Sequence, residues 1–307
     1  MAPWVISSDY AGLQAQALGL AEAAGLSPEL RVLVPRAPWR WVAAAHWPAP
    51  LAAVPELRPP WPGVVIGAGG VAAAVGAALR RRGQAVVQVQ HPRMDPRRFD
   101  VVVVNRHDGL TGANVVVTRT ALHRVTPERL AAAAAIWRPR LAHLPRPLVA
   151  VLVGGSNGRL NLDVAVGQAL GVQLAAMIRQ DRIGLALTPS RRTGPAVTEA
   201  LTSAVRPLGG WVWDGAGENP YYGLLGLADA IVVTQDSVSM ISEAVATPAP
   251  VMVAALPGRS RRQGAFLHGL VQAGRVRMFT GRLEAWPVAP LNDTQAAASE
   301  VRRRLGF

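Results

Sequence analysis

The chain has 307 residues, half of them hydrophobic, enough for one large domain or two ordinary ones with full cores. It contains no cysteine, which excludes disulfide frameworks, zinc–cysteine sites and thiol nucleophiles together and fits a reducing cytoplasm. The formal net charge of +13 is carried by arginine without any lysine and points to an anionic partner, although abundant Ala, Gly, Pro and Arg also fit a codon bias of the genome.

The opening stretch "MAPWVISSDYAGLQ" has no basic region followed by an apolar core, so it does not read as a secretory signal. No uninterrupted apolar run of about 18 to 20 residues follows, so no transmembrane helix is expected and the protein is read as cytoplasmic. "WVISS", "LRVLV", "GVVIGAG", "QAVVQVQ" and "FDVVVVN" read as buried strands, with helices over 14–24, 71–82 and 127–137. This alternation predicts an α/β fold with a parallel sheet. Three prolines in "RPRLAHLPRP", 138–147, break the rhythm and read as a linker, which draws the domains at 1–143 and 144–307.

The second half runs "LVAVLVGG", a helix over 162–178, "IGLALTPS", a helix over 195–205, "GWVWDG", a short helix from Tyr221, "DAIVVTQ", a helix from Ser237, and "APVMVAAL". A last helix, 294–305, suits either domain and can pack back on the first. Each strand ends in a loop of Gly, Ser, Thr, Asn or Asp, where open parallel sheets hold their ligands. Two such domains predict one cleft lined by both sets of loops.

Several chemistries fall away. "VVIGAGGVAAAV", 64–75, invites a nicotinamide reading, but the next strand ends in "VVQVQHP" without the acid that would hold the adenosine ribose. Six dispersed histidines, with no His-Glu-x-x-His and no Asp-x-Asp, offer no metal site. A glycine-flanked serine elbow is missing, and a Tyr-x-x-x-Lys epimerase pair is impossible without lysine. Arginine runs are short, at 80–82, 261–262 and 302–304, and aromatics are 5%, so no platform for nucleic acid is predicted. Arg80 to Arg82 with Trp39, Trp41 and Trp47 can instead meet an anionic membrane surface.

The break inside "VVTQDSVSMISEA", 232–244, has two readings. Asp236 or Ser237 is a plain N-cap, or the helix start seats a phosphate at Ser237 to Met240. Glu243 lies four residues after Ser239, one turn up the same face, where a carboxylate can accept hydrogen bonds from a ribose. Arg191 and Arg192 directly follow a strand and suit bidentate phosphate contacts, which metal-free transfer needs as the leaving diphosphate gains charge. Gly154, Gly155, Ser156 and Asn157 form a matching loop or a plain turn. In "GENPYYG", Asn219 caps a helix started by Pro220. His107 and Asp108 end "VVVVNRHDG" and can take a proton from a sugar hydroxyl; Asp9, in the first strand-to-helix loop, is the rival base.

"NPYYGLLGLADAIVVTQDSVSMISEAVATPAPV", "VLVGGSNGRLNLD" and "LALTPSRRTGPAVTEAL", with "VQHPRMDPRRFDVVVVNRHD" and "ALHRVTPERLA", resemble the family of plant mitochondrial-fission factors and their bacterial relatives. Those relatives are classed as glycosyltransferases, some tied to lipooligosaccharide outer-core assembly. The resemblance implies a GT-B-like architecture of two Rossmann-like domains, binding a nucleotide sugar mainly through the second and needing no further cofactor. Residues 229–251 are also similar to the nucleotide-binding stretch of the lipid-intermediate N-acetylglucosaminyltransferase of peptidoglycan synthesis. That likeness implies diphosphate contacts at Ser237 and Ser239 and a ribose contact at Glu243; a GT-B comparison puts Tyr221 near the base, and Ser190 stands beside the arginine pair. Relatives carry a fuller polar motif after Gly12, where Leu13 and Ala15 stand here, so the first loop departs from the pattern. The expected activity is transfer of a sugar from a nucleotide-sugar donor to a saccharide or lipid-linked acceptor of the cell envelope. The alternative is a non-enzymatic interaction protein recruited to a membrane.

Overall fold

The computed structural model describes residues 1–306, and they divide into two compact units, Met1–Arg124 with 292–306, and Val125–Leu291.

In the first unit, strands β1 (Trp4–Ser7), β2 (Glu29–Val32), β3 (Val64–Ala68), β4 (Ala85–Val89), β5 (Val101–Asn105) and β6 (Val115–Thr118) form one sheet in the order β2-β1-β3-β4-β5-β6, every pairing parallel. A parallel sheet is covered on both faces, so its central strands are apolar throughout rather than alternating. The run Val101 to Val104 is accordingly buried at every residue. Helices α1 (Ala11–Ala23) and α3 (Gly70–Arg80), with the short α2 (Pro50–Ala53), alternate with the strands.

The second unit repeats the design. Helix α4 (Pro127–Arg140) leads into strands β7 (Leu148–Val153), β8 (Gly184–Pro189), β9 (Trp211–Val212), β10 (Ala230–Thr234), β11 (Val251–Ala254) and β12 (Val276–Met278), ordered β12-β11-β10-β7-β8-β9 and parallel throughout. Helices α5 (Val164–Asp181), α6 (Pro195–Val205), α7 (Tyr221–Leu227), α8 (Val238–Val245) and α9 (Arg261–Gln272) cover it. One face packs Leu130, Leu224, Ile241 and Phe266, and the other packs Leu170, Leu174 and Leu201. The strand order reverses between β7 and β10, which makes the crevice beyond their carboxyl ends the natural ligand position.

Helix α10 (Thr294–Leu305) joins the first unit, where Ala297, Ala298 and Val301 pack in one apolar cluster with Ala17 and Leu20 of α1. Arg119 of the same unit holds Asp293, just before that helix, at 2.5 Å.

The proline-rich segment read as a linker is built into the second unit. Helix α4 continues to Arg140 with Pro139 in its last turn, and Leu141 and Leu144 are buried in the cluster that holds Leu224 and Ile231. Arg146 donates to the Leu227 carbonyl at 2.7 Å and to Asp229 at 2.8 Å. The three prolines of the segment break the periodic pattern, but Leu141 and Leu144 between them, and Trp137 just before the first, bury the chain. The compact units change over at Val125 and again at Asn292, which puts α4 with the second.

Candidate functional site

The loops after β7, β8 and β10 meet at the buried carboxylate of Asp236, whose side chain is fully enclosed. Its Oδ2 accepts the Gly155 amide at 2.9 Å and the Arg192 guanidinium at 2.9 Å, and its Oδ1 accepts the Thr234 hydroxyl at 2.7 Å. Thr234 in turn accepts the Gly154 amide at 2.8 Å. The Asp236 carbonyl takes Asn157 Nδ2 at 3.1 Å and Gln263 Nε2, from the first turn of α9, at 2.5 Å. A buried carboxylate is stable only when hydrogen bonds replace its lost water, and here three donors do so. Asp236 is thus a fastener of loops, not a phosphate ligand, and as an anion it would repel one.

That fastening explains both glycines. A Cβ on Gly154 would run into the Asp236 carboxylate, and one on Gly155 would run into the Arg192 backbone. The turn after β7 therefore needs both residues bare, for close approach rather than for flexibility. Ser190 and Thr193 close the third side, their hydroxyls bonded to the Gly154 carbonyl at 3.0 and 2.5 Å. Ser156 Oγ bonds Asn161 and accepts the Leu162 amide, and Asn157 Oδ1 accepts the amides of Arg159 and Leu160, so both residues shape their own loop.

The arginine pair divides. Arg192 is occupied by Asp236 and by the Gly155 carbonyl at 3.3 Å. Arg191 is exposed and, among the described residues, makes no hydrogen bond or ion pair, so its guanidinium is available to a ligand at the mouth of the loops.

Ser237 is the N-cap of α8, with its Oγ accepting the Met240 amide at 3.3 Å. The cap reading is therefore correct in geometry, and it removes the Met240 amide from the set expected to seat a phosphate. Ser239 sits in the first turn, half-buried. At the other end of α8, Arg275 is 4% exposed and donates to the carbonyls of Val245, Thr247 and Ala249 at 3.1, 2.6 and 3.1 Å. A cation there favours the helix dipole, and burial pulls its pKa down to about 10.

Glu243 is buried within α8 and receives the Tyr221 hydroxyl on Oε2 at 2.5 Å. Burial pushes its pKa up to about 7, opposed by the Tyr221 hydrogen bond. The Tyr221 phenol is raised too, first by burial and then by the Glu243 charge. Among the described residues Oε1 of Glu243 accepts no hydrogen bond. Tyr221, expected beside a base, is instead tied to the carboxylate one element away, and Asn219 Oδ1 accepts its amide at 2.9 Å. Pro220, not Asn219, is the N-cap residue of α7.

In the first unit the proposed bases are apart. Asp9 follows β1 and is exposed, with Gln14 Nε2 at 3.5 Å; His107 and Asp108 follow β5 in a single helical turn, half-buried. Strands β3 and β4 stand between, so at about 4.8 Å per strand the two positions are roughly 14 Å apart. The expected membrane group also divides. Arg80 bonds Asp100 at 2.9 Å, and Trp47 is buried against Trp39 with ring centres 6.3 Å apart. Trp41, by contrast, is 69% exposed with the Arg40 guanidinium 4.4 Å from its ring, and Val34 and Val42 are exposed nearby in sequence. Among the described residues no helix is long and apolar enough to cross a membrane, and no three His, Asp or Glu side chains gather to hold a metal ion.

Thr234, Thr193, Gln263 and Arg275 belong to this arrangement and were not legible as such. Only Thr234, a polar end to an apolar strand beside Asp236, carried a signal.

Two Rossmann-like units with parallel sheets, each with its loops at the carboxyl ends, define an α/β protein of the GT-B fold. The solved structures agree. UDP-GlcNAc 2-epimerase of Methanocaldococcus jannaschii, in complex with UDP-GlcNAc and UDP, matches with a TM-score of 0.58 at 12% identity over 100% of both chains. MurG of Acinetobacter baumannii matches with a TM-score of 0.52 at 16% identity, over 98% of this chain and 93% of that one. The chain belongs to the family described as Mitochondrial fission ELM1, whose model matches residues 11–305. The Mitochondrial fission protein ELM1 of Arabidopsis thaliana is 34% identical over 277 residues, 80% of this chain and 64% of its own. The chain spans less than two thirds of the length of the curated relatives it matches.

Proposed function

We propose that the protein is a glycosyltransferase of GT-B type that takes a nucleotide sugar in its second unit and an acceptor saccharide or lipid-linked saccharide of the cell envelope in its first. The observation that carries the reading is Glu243, a buried carboxylate with one oxygen held by Tyr221 and the other open, one turn beyond the capped start of α8 at the strand-order reversal. An open carboxylate oxygen suits a ribose hydroxyl, and the positive end of the α8 dipole suits a diphosphate. Arg191 supplies an exposed cation, unpaired among the described residues, for the charge that grows on the leaving diphosphate, a stabilisation that requires no metal. Asp9 or the His107–Asp108 turn supplies the base for the acceptor hydroxyl.

The solved epimerases share this fold, and the missing Tyr-x-x-x-Lys pair bears only on nicotinamide-type sites, so it does not separate epimerisation from transfer. The two reactions separate on product: transfer releases a nucleoside diphosphate and epimerisation does not. A calorimetric titration with UDP tests the donor site. Glu243→Ala should weaken UDP binding by about 10- to 100-fold, the range for hydrogen bonds to a charged group. The relative named for mitochondrial fission favours a second reading, a non-enzymatic recruiting protein, and absence of binding by any nucleoside diphosphate would decide for it.

Association with an anionic membrane is part of the proposal. Trp41, with Arg40 against its ring, and the exposed Val42 beside it in sequence combine apolar and basic groups, the composition of an interfacial anchor. Flotation with anionic liposomes should be salt-sensitive and lost in Trp41→Ala; equal flotation of both proteins would remove this surface from the account.

A further inference from the structure

The carboxyl-end loops of the second unit hold more positive charge than a diphosphate needs. Residues 154–163, 190–194, 235–237 and 255–263 carry six arginines, Arg159, Arg191, Arg192, Arg259, Arg261 and Arg262, against two aspartates. Both aspartates are occupied. Asp236 is paired with Arg192, and Asp163 caps α5 by accepting the Val166 amide at 3.0 Å while bonding Asn161 at 2.7 Å.

Arg159 and Arg259 stand out among the six. Leu160 and Gly258 form an antiparallel bridge, the Arg259 amide donates to the Arg159 carbonyl at 3.1 Å, and the Asn161 amide donates to Pro257 at 2.8 Å. The register sets Arg159 opposite Arg259 across the bridge, with Cα atoms about 5.5 Å apart as in a hydrogen-bonded antiparallel pair. Like charges at such positions are unfavourable, and both residues are exposed with no ion pair or hydrogen bond to their guanidinium groups among the described residues. The bridge is anchored to the Asp236 hub through Gln263, in the first turn of α9, and through Asn157. Two guanidinium groups carried by paired residues on a tied loop can converge as a clamp on one planar or tetrahedral anion, since each offers a fork of donors.

We infer that Arg159 and Arg259 bind a second anionic group, a carboxylate or phosphate, beside the nucleotide, so that the substrate of this site is an acidic sugar nucleotide or a phosphorylated acceptor. The inference rests on the donor reading above. A neutral sugar and a neutral acceptor would leave these two charges without a counter-ion.

Calorimetry with five probes tests it: UDP, UDP-glucose and UDP-glucuronate, with glucose and glucose 6-phosphate each added over saturating UDP. In the wild type, UDP-glucuronate should bind at least about tenfold more tightly than UDP-glucose if the donor carries the acid; if the acceptor does, glucose 6-phosphate should bind where glucose does not. In the double variant Arg159→Ala with Arg259→Ala that preference should vanish while UDP affinity stays within about twofold. Equal binding of charged and neutral probes by the wild type would overturn the inference. An equal loss of UDP affinity in the double variant would also do so, because the arginines would then belong to the diphosphate. If UDP does not bind the wild type, the donor reading fails on its own; glucose 6-phosphate is then titrated alone, and salt-sensitive binding lost in the double variant keeps the clamp, whereas no binding ends it.

Discussion

At the carboxyl ends of the second unit's strands, one buried carboxylate ties three loops together, two glycines are kept bare by close contacts, and α5, α8 and α9 each begin at a side-chain cap. At the matching ends in the first unit, Asp9 and Tyr10 are exposed, and α1 and α3 begin without one. The same fold thus carries one finished edge and one open edge. A finished edge needs no reorganisation when a ligand arrives, which is what a site for a small, rigid, charged group requires. An open edge would suit the larger acceptor proposed above, which brings its own contacts.

The contrast breaks most readily at Asp236. Asp236→Ala removes the partner of the Gly155 amide, the Thr234 hydroxyl and Arg192 at once, and should lower unfolding free energy by about 3 to 5 kcal/mol in urea denaturation. A loss under about 1 kcal/mol would mean that the loops are not held from this point.

Glu243 comes next, and its effect depends on pH. Its folded pKa is about 7 against an ordinary 4.5, raised chiefly by burial. The folded state therefore keeps a proton that the unfolded state has released. Stability from this group is full below about 4.5 and is lost as pH rises through about 7, a total of a few kcal/mol. Glu243→Gln should flatten that part of the stability curve and be the more stable protein at pH 8. UDP affinity should move the other way in the wild type, rising as the carboxylate ionises and becomes the better acceptor for a ribose hydroxyl. Matching pH profiles of UDP binding in the two proteins would detach Glu243 from the nucleotide.

The arginines give a smaller and sharper division. Arg192→Ala should cost about 1 to 3 kcal/mol of stability because it leaves Asp236 underpaired. Arg191→Ala should leave melting unchanged and reduce UDP affinity by about tenfold, with uridine binding unaffected. Reversal of these two behaviours would exchange their roles.

Much of the fold was legible because parallel strands are continuous apolar runs. "LVAVLV" and "VVVV" are valine-rich runs of strand length, and helices 195–205 and 294–305 were placed at their observed ends. Less visible were β6, the three-residue β12 and helix α9, whose "RRQGAFLHGLVQ" begins with charge and carries two glycines. At the site, the residue types were legible and their partners were not. Arg191 and Arg192 are identical neighbours in sequence, and only the third dimension assigns one to Asp236. The same holds for Tyr221, whose partner lies 22 residues away.

The smallest change in stability is expected at the open edge. Asp9 is exposed, and among the described residues its side chain's one hydrogen bond is from Gln14 at 3.5 Å, so Asp9→Asn should alter unfolding free energy by less than about 0.5 kcal/mol. Its consequence for transfer is a separate matter. A general base contributes about 100- to 10,000-fold, and it must lie within hydrogen-bond reach of the hydroxyl it deprotonates. Asp9 and His107 stand at the ends of β1 and β5 with two strands between them, so one acceptor hydroxyl cannot be served by both. Sugar transfer measured in Asp9→Asn and in His107→Gln should accordingly collapse in one variant and persist in the other. Collapse in both would require the acceptor to span the open edge, with one residue holding it and the other taking the proton, and the two would then differ in KM against kcat.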